Sequence, residues 1–332
     1  MYSDEDLYAA VKAGIFDEAS VEKFRSHISL LSNTKSVDEE NFRLISGFND
    51  VFVTIAALLF LASAGWLSGQ LNEALGCFIT ASLSWLLSIF FISRKKLALP
   101  AIFFLIAFIV SAIGCAYNTL HLYNTAKELT IVVSGVVGAI AAYLHWYKFK
   151  VPITVAAGVA SSAVCLITIA ITQIPFLKDY MLILMALSGV ITFLIAMYWD
   201  SQDTQRKTRK SDVAFWLHLL SAPLIVHPIF SFMGVLKSEV SMEKIAFVIL
   251  LYFFLGLISV VIDRRALMVS SLVYVLYALT ALFKVYGMVS FSFAISGVFI
   301  GSMLLLLSAF WQKFRIFLLC YISESIKKYL PA

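Results

Sequence analysis

The chain has 332 residues, of which 61% are hydrophobic and only 14% charged, with 25 Lys and Arg against 20 Asp and Glu. A soluble domain is typically about 45–50% apolar and about 25% charged, so these proportions, with a mean hydropathy of +0.92, exclude an ordinary soluble enzyme or binding module. The formal net charge of +5 points to basic loops on one membrane face rather than to a nucleic-acid partner.

The polar part comes first. "MYSDEDLYAAVKAG" is acidic where a signal peptide needs a basic start and a short apolar core, so no signal peptide is expected. Ser3 predicts an N-cap with Asp6 three residues on, Leu7, Ala10 and Val11 share an apolar face, and Gly14 is a stop. Asp17 predicts the cap of a second helix in which Val21, Phe24 and Ile28 align. With the linker "LSNTKSVDEE", residues 1–48 read as a cytoplasmic helical hairpin. So short a segment buries little core, and either docking on the membrane domain or a protein partner, or an independent regulatory role, would employ it. Phe42, Ile45 and Phe48 suit a helix in the membrane interface, and Asp50 stands at the mouth of the first span as a cap or a proton carrier.

Ten apolar runs follow, at about 50–69, 72–93, 97–118, 128–147, 151–173, 178–199, 213–236, 243–262, 266–286 and 289–311. Each is near the twenty residues that cross about 30 Å of hydrocarbon. The expected fold is therefore all-α and polytopic, with a ten-helix domain over 49–311 and a C-terminal tail over 312–332. Alternate loops orient it. Lys127, Lys178, Lys237, Lys244 and Lys284 fall on one side, and the other 20 of the 25 basic residues fall with both termini on the opposite side. Positive residues are retained in the cytoplasm, so both ends are expected there. Trp146, Trp199, Trp216 and Trp311 sit near the inner ends, as interfacial rings prefer.

Small residues recur at fourfold spacing: Ser134, Gly138 and Ala142 in span four, Gly158 and Ser162 in span five, Gly297 and Gly301 in span ten. These permit close helix packing, and the last pair also suits a dimer seam. The four cysteines, Cys77, Cys115, Cys165 and Cys320, are scattered and read as inert thiols.

Span seven contains "WLHLLSAPLIVHPIF", with His218, Pro223, His227 and Pro228. The prolines lack an N–H, freeing the carbonyls of Leu219 and Leu224 and predicting kinks. At 1.5 Å per residue His218 lies roughly 8 Å inside the span and His227 roughly 21 Å, on opposite faces. A titratable group at that depth normally faces a bundle interior or a water-filled cavity. Packing histidines and a proton-coupled or substrate-binding site both fit, with His227, His218, Pro223 and Pro228 as the candidate substrate-binding residues. Nine residues apart, the histidines cannot form a bidentate metal pair, and no metal is expected.

Weaker candidates are His121 in an outer loop, His145 as an interfacial anchor beside Trp146, Lys284 as a snorkelling side chain, and Asp263, whose neighbours Arg264 and Arg265 suggest a local charge pair or a lipid-phosphate contact. No Walker A loop, GxSxG, HExxH or intramembrane carboxylate pair is present, so neither enzymatic chemistry nor a cofactor is expected.

"ENFRLISGFNDVFVTIA", "FWLHLLSAPLIVHPIF", "VIDRRALMVSSLVYVLYAL" and the terminal "YLP" together resemble a group of bacterial inner-membrane proteins known as multi-span proteins of unknown function. The resemblance covers nearly the whole chain. It implies a bacterial inner membrane and this architecture, and carries over no functional residues. In span count and length the chain is also similar to the ten-span drug and metabolite transporters, whose two five-span halves are inverted. Two functions remain open: a secondary transporter or permease of a small or amphiphilic molecule, with its site around span seven, and a non-transporting scaffold or assembly factor that binds protein partners through the hairpin.

Overall fold

The computed structural model describes residues 4–32, 48–95, 97–206, 208–234, 242–285, 291–327 and 329–330. The chain divides into two compact units, 1–41 and 42–332.

In the first unit α1 (Asp4–Lys12) and α2 (Glu18–Ser32) form the expected pair of helices. Gly14 turns the chain at φ +70°, in the left-handed region that suits glycine. A hydrogen bond from Ser20 holds the Asp17 carboxyl below the usual carboxylate range, as expected at a helix start. Val21 is buried, whereas Tyr8, Ile15, Phe16 and Phe24 are exposed. Ser3, Phe42, Ile45 and most of the linker lie outside the described residues.

The second unit contains α3 (Phe48–Gly69), α4 (Glu73–Phe91), α5 (Ala98–Leu122), α6 (Lys127–Phe149), α7 (Ile153–Gln173), α8 (Met181–Ser201), α9 (Arg209–Phe232), α10 (Met242–Val261), α11 (Ala266–Val285), α12 (Ser292–Leu319) and the short α13 (Glu324–Lys327). A 3₁₀ turn, Pro175–Tyr180, leads into α8. Among the described residues there are ten helices long and apolar enough to cross a membrane, and no strand. The protein is an all-α, polytopic integral membrane protein.

Three boundary shifts bear on the residues singled out above. α5 continues through His121, so that residue lies in a last helical turn, stacked on Tyr117 at 6.1 Å, rather than in a loop. α9 begins at Arg209 because Thr208 caps it, accepting from the Lys210 N–H at 3.2 Å. α12 runs on to Leu319, eight residues past the expected limit at 311.

The packing falls into two sets of five spans. α3 to α7 pack mainly in sequence, and α8 to α12 gather around the α8–α9 and α9–α11 contacts. The main contact between the sets is α7 against α9, whereas α7 barely touches α8. Glycines set the closest approaches. A Cβ on Gly76 would lie 2.7 Å from the Gly65 carbonyl of α3, and one on Gly189 would lie 2.9 Å from the Ile225 nitrogen of α9. Gly138 likewise faces Ile113 and Ser161. Gly297 and Gly301 meet nothing within 4 Å.

Candidate functional site

Two features stand out, and they meet along α8. The first is a buried charge cluster. Asp200 ends α8, where the helix dipole disfavours a carboxylate, yet it is fully buried. Its stability there comes from two partners. Arg264, between α10 and α11, donates from Nη2 to Asp200 Oδ1 at 2.6 Å, and His218 Nε2 donates to Asp200 Oδ2 at 2.9 Å. The same Arg264 Nη2 reaches the Ser211 carbonyl and hydroxyl oxygens of α9, each at 3.2 Å. Ser259 at the end of α10 donates to the Arg264 carbonyl. A buried charge left alone is costly, and a charge held this way is tolerated.

Next to it, Asp263 forms a second cluster. Arg206 donates to its carboxylate at 2.9 Å and to its carbonyl at 3.0 Å, and Trp311 Nε1 of α12 donates at 2.6 Å. Arg206 and Asp263 both adopt left-handed backbone, at φ +52° and +55°. Such conformations cost of order 1–3 kcal/mol each and persist where the surroundings over-determine them. Burial and the nearby Arg264 push the Arg206 pKa below the usual arginine range, with Asp263 opposing. Asp203 completes the linker by accepting the Thr208 N–H and hydroxyl, each at 2.7 Å. These contacts clamp α8, α9, α10, α11 and α12 together at one end.

The sequence candidates are distributed as follows. His218 is in the cluster, 2% exposed, with its ring edge-on to Phe193. His227 is on an exposed face instead, its Nδ1 2.6 Å from the Tyr274 hydroxyl of α11 and its Nε2 3.3 Å from Ser231. The two histidines are thus separated, as the spacing predicts. Pro223 and Pro228 lie within an uninterrupted α9, Pro223 exposed and Pro228 buried.

Three expectations are corrected. Asp263 forms no local pair with Arg264: its partner is Arg206, 57 residues earlier. Trp311 is a buried donor with the Arg265 guanidinium 4.8 Å above its ring, not an interfacial ring. His145 is fully buried against Trp85, Phe108 and Phe149, with its Nδ1 3.4 Å from the Thr154 hydroxyl and its Nε2 without a partner among the described residues. The Lys284 side chain lies outside the described residues.

The second feature is a cleft of ≈ 660 Å³ where α7 and α8 part, walled by α6, α7 and α8. It is partly open, and its lining is predominantly apolar, with Tyr143, Thr154, Ser162, Ser188 and Thr192 as its hydroxyl-bearing residues. Gly158 and Ser162 of α7 are among its lining residues, and a Cβ on Gly158 would lie 3.3 Å from the Ala142 Cβ of α6, so Gly158 also allows the close helix packing read from its spacing. Trp146 and Trp199 close one end. Neither His218 nor His227 lines it. Among the described residues no group of three or more His, Cys, Asp or Glu is placed to hold a metal ion.

No family model, curated protein or solved structure matches the chain.

Proposed function

We propose that the protein is a permease-like secondary transporter of an amphiphilic molecule in the bacterial inner membrane, with both termini in the cytoplasm. One observation carries this reading: the ≈ 660 Å³ cleft lies on the seam between the two five-span sets, where α7 and α8 make little contact. Transporters place their sites between repeats and work by rocking one bundle against another. The charge clusters support the mechanics, because they tie the second set into one body and leave the seam as the place that can yield. The apolar wall with a few hydroxyls suits a molecule with a long apolar part and a small polar one.

The test is flux in proteoliposomes, with a fluorescent phospholipid and a lipophilic cation as probes. Wild-type protein is expected to speed transbilayer movement of one probe, and Gly158→Trp, which fills the cleft, to return the rate to that of empty vesicles. Wild-type vesicles indistinguishable from empty ones, or a fully active Gly158→Trp, would overturn the reading.

A second reading, a scaffold or assembly factor, draws on the exposed Tyr8, Ile15, Phe16 and Phe24 of the N-terminal hairpin. It requires a partner for that surface and no flux.

A further inference from the structure

The cleft has direction, and its two ends differ. Along α7 it runs from Thr154 to Ala170, about 24 Å at 1.5 Å per residue. That exceeds one leaflet's share of the hydrocarbon, about 15 Å. No acidic or basic side chain is among its lining residues, so nothing inside it favours a small ion. A ligand long enough to fill it is a hydrocarbon chain, and a cleft parting two spans takes such a chain from the bilayer.

Both ends carry charge, but differently: beyond the Ala170 end the 3₁₀ turn Pro175–Tyr180 sets Lys178 next to Asp179, whereas at the end bounded by Trp146 and Trp199 a lysine lies over the lining indole. There Lys150 follows the last turn of α6, and its Nζ lies 5.3 Å from the Trp146 ring centre and 5.8 Å from that of Tyr147. Lys150 has φ +55°, the left-handed C-terminal position usually taken by glycine. A lysine is the strained choice for the backbone, and what it adds is an ammonium folded back over the indole that bounds the cleft. Thr154 lines the same end, with its hydroxyl 3.4 Å from His145 Nδ1. The nearest carboxylate in sequence to that wall, Asp200 beside Trp199, is turned away into the pairs with Arg264 and His218. The end is therefore positive, uncompensated by acid in the lining, and flanked by amphipathic rings that prefer headgroup depth.

We propose that the cleft holds an anionic phospholipid from the leaflet on the lysine-rich side, an acyl chain lying along Gly158 and Ser162 and the phosphate at the Lys150 ammonium. This rests on reading the cleft as the amphiphile's place, and it adds the ligand's class and its orientation.

The test is lipid retention by the full-length protein in mixed micelles of equimolar phosphatidylglycerol and phosphatidylcholine, measured by native mass spectrometry. Wild type is expected to retain phosphatidylglycerol preferentially. Lys150→Gly, which suits the left-handed backbone and so keeps the fold, should lower that preference about fivefold, the factor expected for one lysine at an anionic surface. Gly158→Trp should lose both lipids, with an unchanged elution volume showing that it is folded. Equal retention of the two lipids by wild type, or an undiminished preference in Lys150→Gly, overturns the anionic ligand while leaving a neutral amphiphile in the cleft. Retention unaffected by Gly158→Trp overturns the cleft as the lipid's place altogether.

Discussion

Asp200 and Arg264 are 64 positions apart in the sequence, yet Arg264 Nη2 donates to Asp200 Oδ1 at 2.6 Å and both side chains are 2% exposed or less. The pair joins the end of α8 to the α10–α11 turn, and His218 and Ser211 attach α9 to it. Removing one partner of a buried pair leaves the other charge uncompensated, at a cost of about 3–5 kcal/mol. Arg264→Met is therefore expected to lower the unfolding midpoint in detergent sharply. The double variant Arg264→Met, Asp200→Leu removes both charges and should unfold at a higher temperature than the single one. A double variant no better than the single would mean that the charges do not act as a pair.

Trp311 provides a finer probe of the second cluster. Its Nε1 donates to Asp263 at 2.6 Å deep in the bundle, and hydrogen bonds to charged groups contribute about 1.5–3 kcal/mol. Trp311→Phe keeps an aromatic ring and deletes that donor, so a loss of this size is expected in chemical denaturation. An unchanged stability would show that Arg206 alone suffices to hold Asp263.

The spans are legible in the sequence because each must bury its backbone in hydrocarbon, and that demand marks every residue of the run. The clusters are not. Asp263 with Arg206, and Arg264 with Asp200, pair across 57 and 64 residues, and nothing local distinguishes these arginines from Arg94 or Arg209, which lie in the same set of basic loops. Counting them as orientation signals hides their second use as buried ligands for carboxylates. His145 shows the same limit: beside Trp146 and Lys148 it reads as interfacial, but its burial comes from Trp85 and Phe108 on α4 and α5. Conversely, the separation of His218 from His227 follows from helical periodicity alone and is found.

Glycine positions predict two opposite outcomes from one substitution. A Cβ at Gly189 would meet the α9 backbone at 2.9 Å, and that backbone cannot swing aside as a flexible side chain could. Gly189→Ala should cost about 1–3 kcal/mol. Gly297→Ala enters open space and should cost less than about 0.5 kcal/mol. Thermal unfolding of both variants in one detergent makes the comparison. Equal losses would show that the α8–α9 approach has slack.

The histidines should also separate. His218→Ala removes a buried donor from Asp200, a loss of about 1–3 kcal/mol. His227→Ala acts on an exposed face and removes contacts to Tyr274 and Ser231, with an expected loss below about 1 kcal/mol. Proteoliposome flux then decides the role of His227: a stable variant without flux places it on the transport path, and a stable variant with full flux removes it.

Orientation provides the last prediction. The basic loops before α5, α7, α9 and α11 share a side with both termini if lysine and arginine mark the cytoplasm. In a background lacking Cys77, Cys115, Cys165 and Cys320, a cysteine at Leu71, exposed in the α3–α4 turn, should react with an impermeant maleimide in intact cells. A cysteine at Gln202, exposed in the α8–α9 linker, should react only after permeabilisation. The reverse pattern would put Lys150 and the positive end of the cleft in the outer leaflet. Both sites reacting from outside would break the alternation on which ten spans and shared termini depend.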